Sequence, residues 1–349
     1  MEDRGDKVTF GFAVIGCGLI SRFHIGAIEE IDDAFLAGVY DQNLEAAEKT
    51  AAEHGARCYG SFEEALSDRE VDVVCICTPS FLHASMACSA VEAGKSVLVE
   101  KPLALRLEDC DRLIGLAAQK GVQVGTVSQL RFAPSISKVK KAMQDGTLGR
   151  ITRADLYMKY YRSQEYYDQG GWRGTVEKDG GGALMNQGIH GVDLLRYLAG
   201  PVKSIYALSA TRVHDIEVED TLTAAVSFCN GALGVIEAST GDWPGAPRRL
   251  ELNGECGVII LEEDRIVKWE VEGEKGFALY EQNEAQTESH RDPGKIDASG
   301  HVCQIQNFIS ALRGETELLV DGQEGRKALE LILSAYASAE TGRAVVPGA

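Results

Sequence analysis

Apolar and polar positions follow two different regimes along the chain. Through about residue 127, short and largely apolar runs alternate with stretches whose apolar residues recur every three to four positions. VTFGFAVI (8–15), AFLAGVY (34–40), VDVVCICT (71–78), SVLVE (96–100) and VQVGTV (122–127) predict strands covered on both faces. RFHIGAIEEI, NLEAAEKTAAEHG, the segment from His83 to Ala93 and that from about Glu108 to Lys120 predict the helices between them. Strand and helix in regular alternation is the pattern of a doubly wound parallel sheet with crossover helices.

Beyond Val127 the alternation changes. ITRADLYMKYY, TLTAAVSF, ALGVIEAS, RRLELNG and GVIILE read as strands, and Asn230-Gly231 between the second and third is a hairpin signal. Helices are expected at Gly180 to Gly200, at HVCQIQNFISALRG and at RKALELILSAYASAETG. The pattern predicts an α/β Rossmann domain over residues 1–128 and an α+β domain with a largely antiparallel sheet over 129–349. There is no internal repeat and no low-complexity linker.

The first strand runs into GCGLIS, and the second ends at Tyr40 followed by Asp41, 23 residues beyond Gly18. Gly16 permits a sharp turn off the strand. Gly18, with no Cβ, lets the backbone approach a pyrophosphate at the helix N-terminus, and Asp41 is placed to accept hydrogen bonds from a ribose. Ser21 stands at the third glycine position, where close packing matters more than positive φ. Gln42 and Asn43 offer no cation for a 2′-phosphate, so NAD is expected rather than NADP. Leu19 and Ile20 belong to the same turn. The strand ends at Thr78-Pro79 and Glu100-Lys101-Pro102 belong to the crevice where doubly wound sheets bind ligands.

Composition narrows the partners. Lys and Arg total 35 against 53 Asp and Glu, a formal charge of −18 that disfavours a nucleic-acid partner. No stretch of about 18 uncharged apolar residues predicts a membrane span, and the polar start Met1 to Lys7 lacks an apolar export segment. Nine cysteines with no CxxC pair suit reduced thiols and a cytoplasmic location. His83, His290, His301 and Cys303 match no zinc spacing, and no metal is expected.

GCGLIS, Asp41, CTPSFLH, AGKSVLVEKPLAL and GGGALMNQGIHGVDLL together resemble the Gfo/Idh/MocA group of nicotinamide-dependent sugar and polyol oxidoreductases, over nearly the whole length. The resemblance implies an open-faced, mostly antiparallel mixed sheet in the second domain, an active site between the domains, and a homodimer or homotetramer formed through that sheet. It also gives Lys101 and His190 catalytic roles, with Lys101 donating to a substrate hydroxyl and His190 taking its proton. The position four residues before His190 is usually aspartate in the family and is Asn186 here. An amide orients a hydroxyl but accepts no proton. The GGGALMNQ form is similar to a branch related to nucleotide-sugar dehydrogenases.

The expected cofactor contacts are therefore Gly16, Gly18, Leu19, Ile20, Asp41, Thr78, Pro79, His83, Glu100, Lys101 and Gln129. The expected substrate contacts are Lys101, Arg131, Tyr161, Trp172, Arg173, Asn186 and His190. The function these imply is NAD-dependent oxidation of a secondary hydroxyl on a sugar, sugar derivative or inositol. Two alternatives stay open: a glycoside-cleaving enzyme that retains NAD and oxidises the sugar transiently, and a non-catalytic dinucleotide sensor.

Overall fold

The computed structural model describes residues 9–273 and 298–348. The chain forms two compact units: one runs to Gln129 and resumes over Ala298–Arg326, and the other runs from Leu130 and resumes at Lys327.

The first unit begins β1 (Phe10–Ile15), α1 (Ser21–Glu29), β2 (Ala34–Tyr40), α2 (Leu44–His54), β3 (Arg57–Cys58), α3 (Phe62–Ser67) and β4 (Val73–Ile76). It continues with α4 (His83–Glu92), β5 (Ser96–Val99), α5 (Leu107–Lys120) and β6 (Val124–Thr126). Its six strands pair in parallel in the order β3-β2-β1-β4-β5-β6. The order reverses between β1 and β4, so the glycine turn after β1 and the Thr78 segment after β4 lie side by side at the switch point. All four residues of β4 are buried, as expected of a strand covered on both faces. Local chemistry closes the helices. Asn43 accepts from the Ala46 amide at the start of α2, and Gly55 and Gly121, at φ 62° and 69°, end α2 and α5.

The second unit contains α6 (Pro134–Gln144), β7 (Ile151–Lys159), α7 (Gln164–Asp168), a π-helical turn at Ala183–Gly188 and α8 (Ile189–Ala199). These are followed by β8 (Val202–Ala210), β9 (Thr221–Phe228), β10 (Leu233–Ser239), β11 (Arg249–Gly254), β12 (Gly257–Glu262) and β13 (Arg265–Val271). The sheet order is β13-β12-β11-β7-β10-β9-β8, antiparallel except for β7 against β10. The β9–β10 hairpin turns through Asn230 and Gly231, where φ is 91°. The inner face buries Ala154, Leu156, Met158, Ile236, Leu250 and Leu252. On the outer face, Tyr206 pairs with Ala225, which pairs with Val235, and Leu208 and Leu233 stand exposed on the same side.

The helix expected at HVCQIQNFISALRG forms as α9 (Ser299–Leu312) but does not belong to the second unit. Val302, Ile305, Phe308 and Ile309 join Phe12, Val14, Ile25, Val73 and Leu98 in one core. Gln304 accepts from the Ser128 amide and donates to the Thr126 carbonyl, and Val320 accepts from the Thr126 amide, so this return segment finishes the β6 edge. A single cut at residue 128 missed it because an amphipathic helix carries no mark of which sheet its apolar stripe will meet. The last helix, α10 (Gly322–Thr341), starts in the first unit and continues into the second from Lys327. No helix among the described residues is long and apolar enough to cross a membrane.

Candidate active site

At the end of β1 the backbone of Gly16 sits at φ 98°, its amide donates to the Tyr40 carbonyl at 2.7 Å, and an added Cβ would stand 2.7 Å from the Cys77 carbonyl oxygen. Only glycine fits. A Cβ at Gly18 would meet nothing within 4 Å. α1 opens with Ile20 at its cap and no capping side chain, so its first amides are left for an incoming anion beside that open space. The departure at Ser21 is explained by packing: its hydroxyl is buried and donates to the Gly18 carbonyl at 2.7 Å, closing the turn from within. Asp41 accepts from the Cys17 amide through Oδ2 and from the Asn43 amide through Oδ1, both at 2.7 Å. A carboxylate has about four acceptor positions, which leaves capacity for two ribose hydroxyls. These residues fit an adenine dinucleotide.

The other strand ends are tied to each other. His83, buried, places Nε2 2.9 Å from the Thr78 carbonyl and Nδ1 2.6 Å from the Pro102 carbonyl. A neutral imidazole has one N–H, so His83 donates to one of these carbonyls and packs against the other. His83, expected as a cofactor contact, is a strap between the β4 and β5 loops. Burial pushes its imidazole below the usual value, against the pull of the two carbonyls.

Glu100, also expected at the cofactor, lies inside. Its Oε1 is 2.9 Å from His24 Nε2 and its Oε2 accepts from the Lys101 amide at 3.2 Å. His301, buried on α9, brings the three polar groups within 4.8 Å of one another, and its ring packs edge-on against His24. Burial opposes ionisation of Glu100, but the hydrogen bond and charge of His24, with His301 and Lys101, outweigh it and hold the carboxyl at about 2. Burial also disfavours the His24 imidazolium, yet Cys77, Cys75 and Glu100 raise it well above its usual value. Lys101 thus leaves the sheet from a residue anchored by a buried ion pair.

The second unit carries Asn186 and His190 one turn apart, both half-buried, at the junction of the π turn and α8. The predicted single helix from Gly180 to Gly200 is in fact this π turn followed by an α-helix. Its start is set by Glu219, whose Oε2 accepts from the Gly182 amide at 2.8 Å and Oε1 from the Leu184 amide at 2.9 Å. Tyr336 on α10 donates to Glu219 Oε1 at 2.8 Å and accepts from the Met185 amide at 3.1 Å. A Cβ at Gly181 would reach 2.3 Å from the Tyr336 hydroxyl, and one at Gly182 1.7 Å from the Glu219 carbonyl oxygen. The glycine run is there so that Glu219 and Tyr336 can touch the backbone.

Asn186 is held from several sides. Its Nδ2 donates to Asp179 Oδ1 at 2.8 Å, and its Oδ1 accepts from Gln187 Nε2 at 2.9 Å and from the Tyr166 hydroxyl at 3.5 Å. Arg162 donates to Gln187 Oε1 at 2.7 Å. Arg173 lies over the Tyr166 ring at 4.7 Å and the Trp172 ring at 4.9 Å. Asn186, Trp172 and Arg173 therefore share one neighbourhood through Tyr166. Tyr161 is half-buried beside it, its carbonyl accepting from Arg162.

Arg131 does not fit its expected substrate role. It is 1% exposed, pairs with Asp193 through two hydrogen bonds of 2.7 and 2.5 Å, and lies over the Tyr197 ring at 4.5 Å. A guanidinium so committed is a core brace. Asp193 accepts both of its hydrogen bonds. Gln129 is buried, and its Oε1 meets no partner inside the protein; Thr78 Oγ1 is likewise buried and unsatisfied. Unmet polar atoms at two strand ends suit a bound ligand. Cys303 is exposed, and His290 lies outside the described residues.

Residues 10–127 match the oxidoreductase family with an NAD-binding Rossmann fold, and residues 136–260 match the Gfo/Idh/MocA C-terminal domain. The WlbA dehydrogenase of Bordetella pertussis, solved in complex with NADH and UDP-GlcNAcA, is 36% identical, with a TM-score of 0.86 over 97% of this chain and 98% of that one. The chain belongs to the Gfo/Idh/MocA family. An uncharacterized oxidoreductase of Synechocystis is 32% identical over 85% of this chain and 84% of its own length. The myo-inositol 2-dehydrogenase of Thermotoga maritima is 29% identical over 95% and 97%. As a Gfo/Idh/MocA member, the chain is an NAD-dependent oxidoreductase.

Proposed function

We propose that this protein oxidises a secondary hydroxyl on the sugar ring of a nucleotide-linked hexose or hexuronate. The observation that carries the reading is the 36% identity, over 97% of the chain, to a dehydrogenase crystallised with NADH and UDP-GlcNAcA. The aromatic and guanidinium side chains around Asn186 support it: the Trp172 face suits a sugar ring or a base, and Arg173 suits a carboxylate or diphosphate.

Bound NAD supplies the hydride acceptor. The remaining work falls to the chain: the carbinol C–H leaves as hydride, the O–H proton goes to a base, and a ketone and NADH result. His190 receives the proton, because imidazole ionises nearest neutrality. The Lys101 ammonium donates to the substrate oxygen and favours its developing negative charge. Asn186 fixes which hydroxyl is presented.

We further infer that the protein is a homo-oligomer whose contact includes the outer sheet face bearing Tyr206, Leu208 and Leu233, large apolar side chains that stand exposed. The nine free cysteines favour a reducing compartment. Purified protein is to be assayed for NADH formation with UDP-linked hexuronates, free inositols and simple glycosides. Turnover of the nucleotide-linked sugar supports the reading, and turnover confined to inositols or glycosides overturns it. Aglycone release without net NADH would identify transient oxidation instead.

A further inference from the structure

The family pattern sets an aspartate where this chain has Asn186, yet a carboxylate stands directly behind that amide. Asp179 is 1% exposed. Its Oδ2 accepts from the Gly174 amide at 2.9 Å and its Oδ1 from Asn186 Nδ2 at 2.8 Å. A carboxylate only accepts, so the Asn186 nitrogen must face Asp179 and its oxygen must face Gln187 and Tyr166. The amide cannot flip. An aspartate at 186 would bring a second carboxylate to about the same 2.8 Å, and one of the pair would have to keep a proton. The acid at 179 and the amide at 186 require each other.

We propose that Asp179 is the acid of this site: a positioning residue that acts through Asn186, in the place of the carboxylate the family carries four residues before the histidine. The proposal rests on the reading of Asn186 and His190 as the reacting turn. An amide hydrogen-bonded to a carboxylate is both stiffer and more polarised toward a sugar hydroxyl than a solvated one. The Gln187–Arg162 link holds it from the opposite side. The proposal therefore concerns where the negative charge sits, and a swap of charge between the two positions tests it.

The experiment compares wild type with Asp179→Asn, Asn186→Asp and the double variant that exchanges the two groups. Each single substitution is expected to lower kcat about tenfold, the scale of one charge-assisted hydrogen bond. Asn186→Asp should also bring a new ionisation near neutrality into the pH profile of kcat, the mark of two carboxyls sharing a proton. The double variant should return kcat to within about threefold of wild type and abolish that ionisation. Asp179→Asn with wild-type kcat and pH profile, or a double variant that shows only the sum of the single losses, overturns the proposal.

Thermal midpoints of the same four proteins need no turnover. The swap should recover the loss seen in Asn186→Asp, and midpoints that simply add overturn the pairing. If wild type reduces NAD with no nucleotide-linked sugar, the substrate reading falls while the midpoint cycle still decides the pairing.

Discussion

Tyr336→Phe probes the contact that shapes the turn carrying Asn186. The substitution keeps the ring and removes one oxygen, which donates to Glu219 Oε1 at 2.8 Å and accepts from the Met185 amide at 3.1 Å. Burial pushes the Tyr336 phenol well above its usual value, with the Glu219 charge adding to it, so the hydroxyl keeps its proton and stays a donor. Losing a hydrogen bond to a charged group costs about 1.5–3 kcal/mol, and the withdrawn acceptor at Met185 adds to that. Partial relaxation brings the expected sum to about 3 kcal/mol. For a unit of about 200 residues that is a fall of about 6–12 °C in its calorimetric transition. Turnover should fall with it, because Asn186 lies within the turn that Glu219 and Tyr336 fix and His190 follows it. NADH affinity, measured by fluorescence titration, should hold. A midpoint within about 2 °C of wild type with unchanged kcat would refute the reasoning, since Glu219 would then hold the turn without the phenol.

Three other perturbations separate structural from chemical roles. Gly16→Ala forces φ 98° on a residue with a Cβ, 2.7 Å from the Cys77 carbonyl, and should weaken NADH binding at least about tenfold; an unchanged Kd would contradict the cradle. Glu100 sits at about 2 in the fold against an ordinary 4.5, so its stabilisation, about 3 kcal/mol, is complete above 4.5 and is lost as pH falls from there toward 2. His24, raised above 6.5, contributes below its elevated value and loses that contribution at alkaline pH. Glu100→Gln should flatten the acid limb of a pH-dependent unfolding series, and an acid limb identical to wild type would remove the pair from the account. Arg131→Ala should cost about 3–5 kcal/mol by stranding Asp193, whereas Arg131→Met with Asp193→Leu should recover most of it at unchanged KM. A raised KM with an unchanged melting temperature would return Arg131 to the substrate site.

The first unit was legible almost element by element because its strands are buried on both faces and its helices are closed by local signals such as Asn43 and Gly55. The helix α9 was legible as a helix and not as part of that unit, for its stripe of Val302, Ile305 and Phe308 would suit any sheet. The site divides along the same line. Gly16, Gly18 and Asp41 depend on backbone geometry fixed within one βαβ unit, a separation at which spacing is readable. His83 and Arg131 are polar residues at promising positions, and only their partners show that one straps two loops and the other braces a core. Sequence reasoning does not reach His24, Asp179, Glu219 and Tyr336, and it weighs His301 only as a metal ligand. His24 and His301 meet Glu100 from positions 24 and 301, and Tyr336 reaches a turn 151 residues earlier, separations at which no local pattern exists. Asp179 lies only seven residues before Asn186, yet nothing in DGGGALMN says that the loop folds back onto the amide. The π turn was missed for the same reason, since its pitch comes from Glu219 and not from the residues within it.

The most direct test of the central claim is a single turnover of enzyme with NAD and a UDP-linked hexuronate deuterated at each ring carbinol in turn, read by nicotinamide absorbance and by mass spectrometry of both products. The account predicts that one position alone transfers its deuterium to the nicotinamide, with one NADH formed per sugar that leaves two hydrogens lighter. It predicts that Lys101→Ala and His190→Ala abolish the transfer while NADH still binds. Deuterium that returns to the sugar with no net NADH, or transfer that survives in both variants, would contradict it.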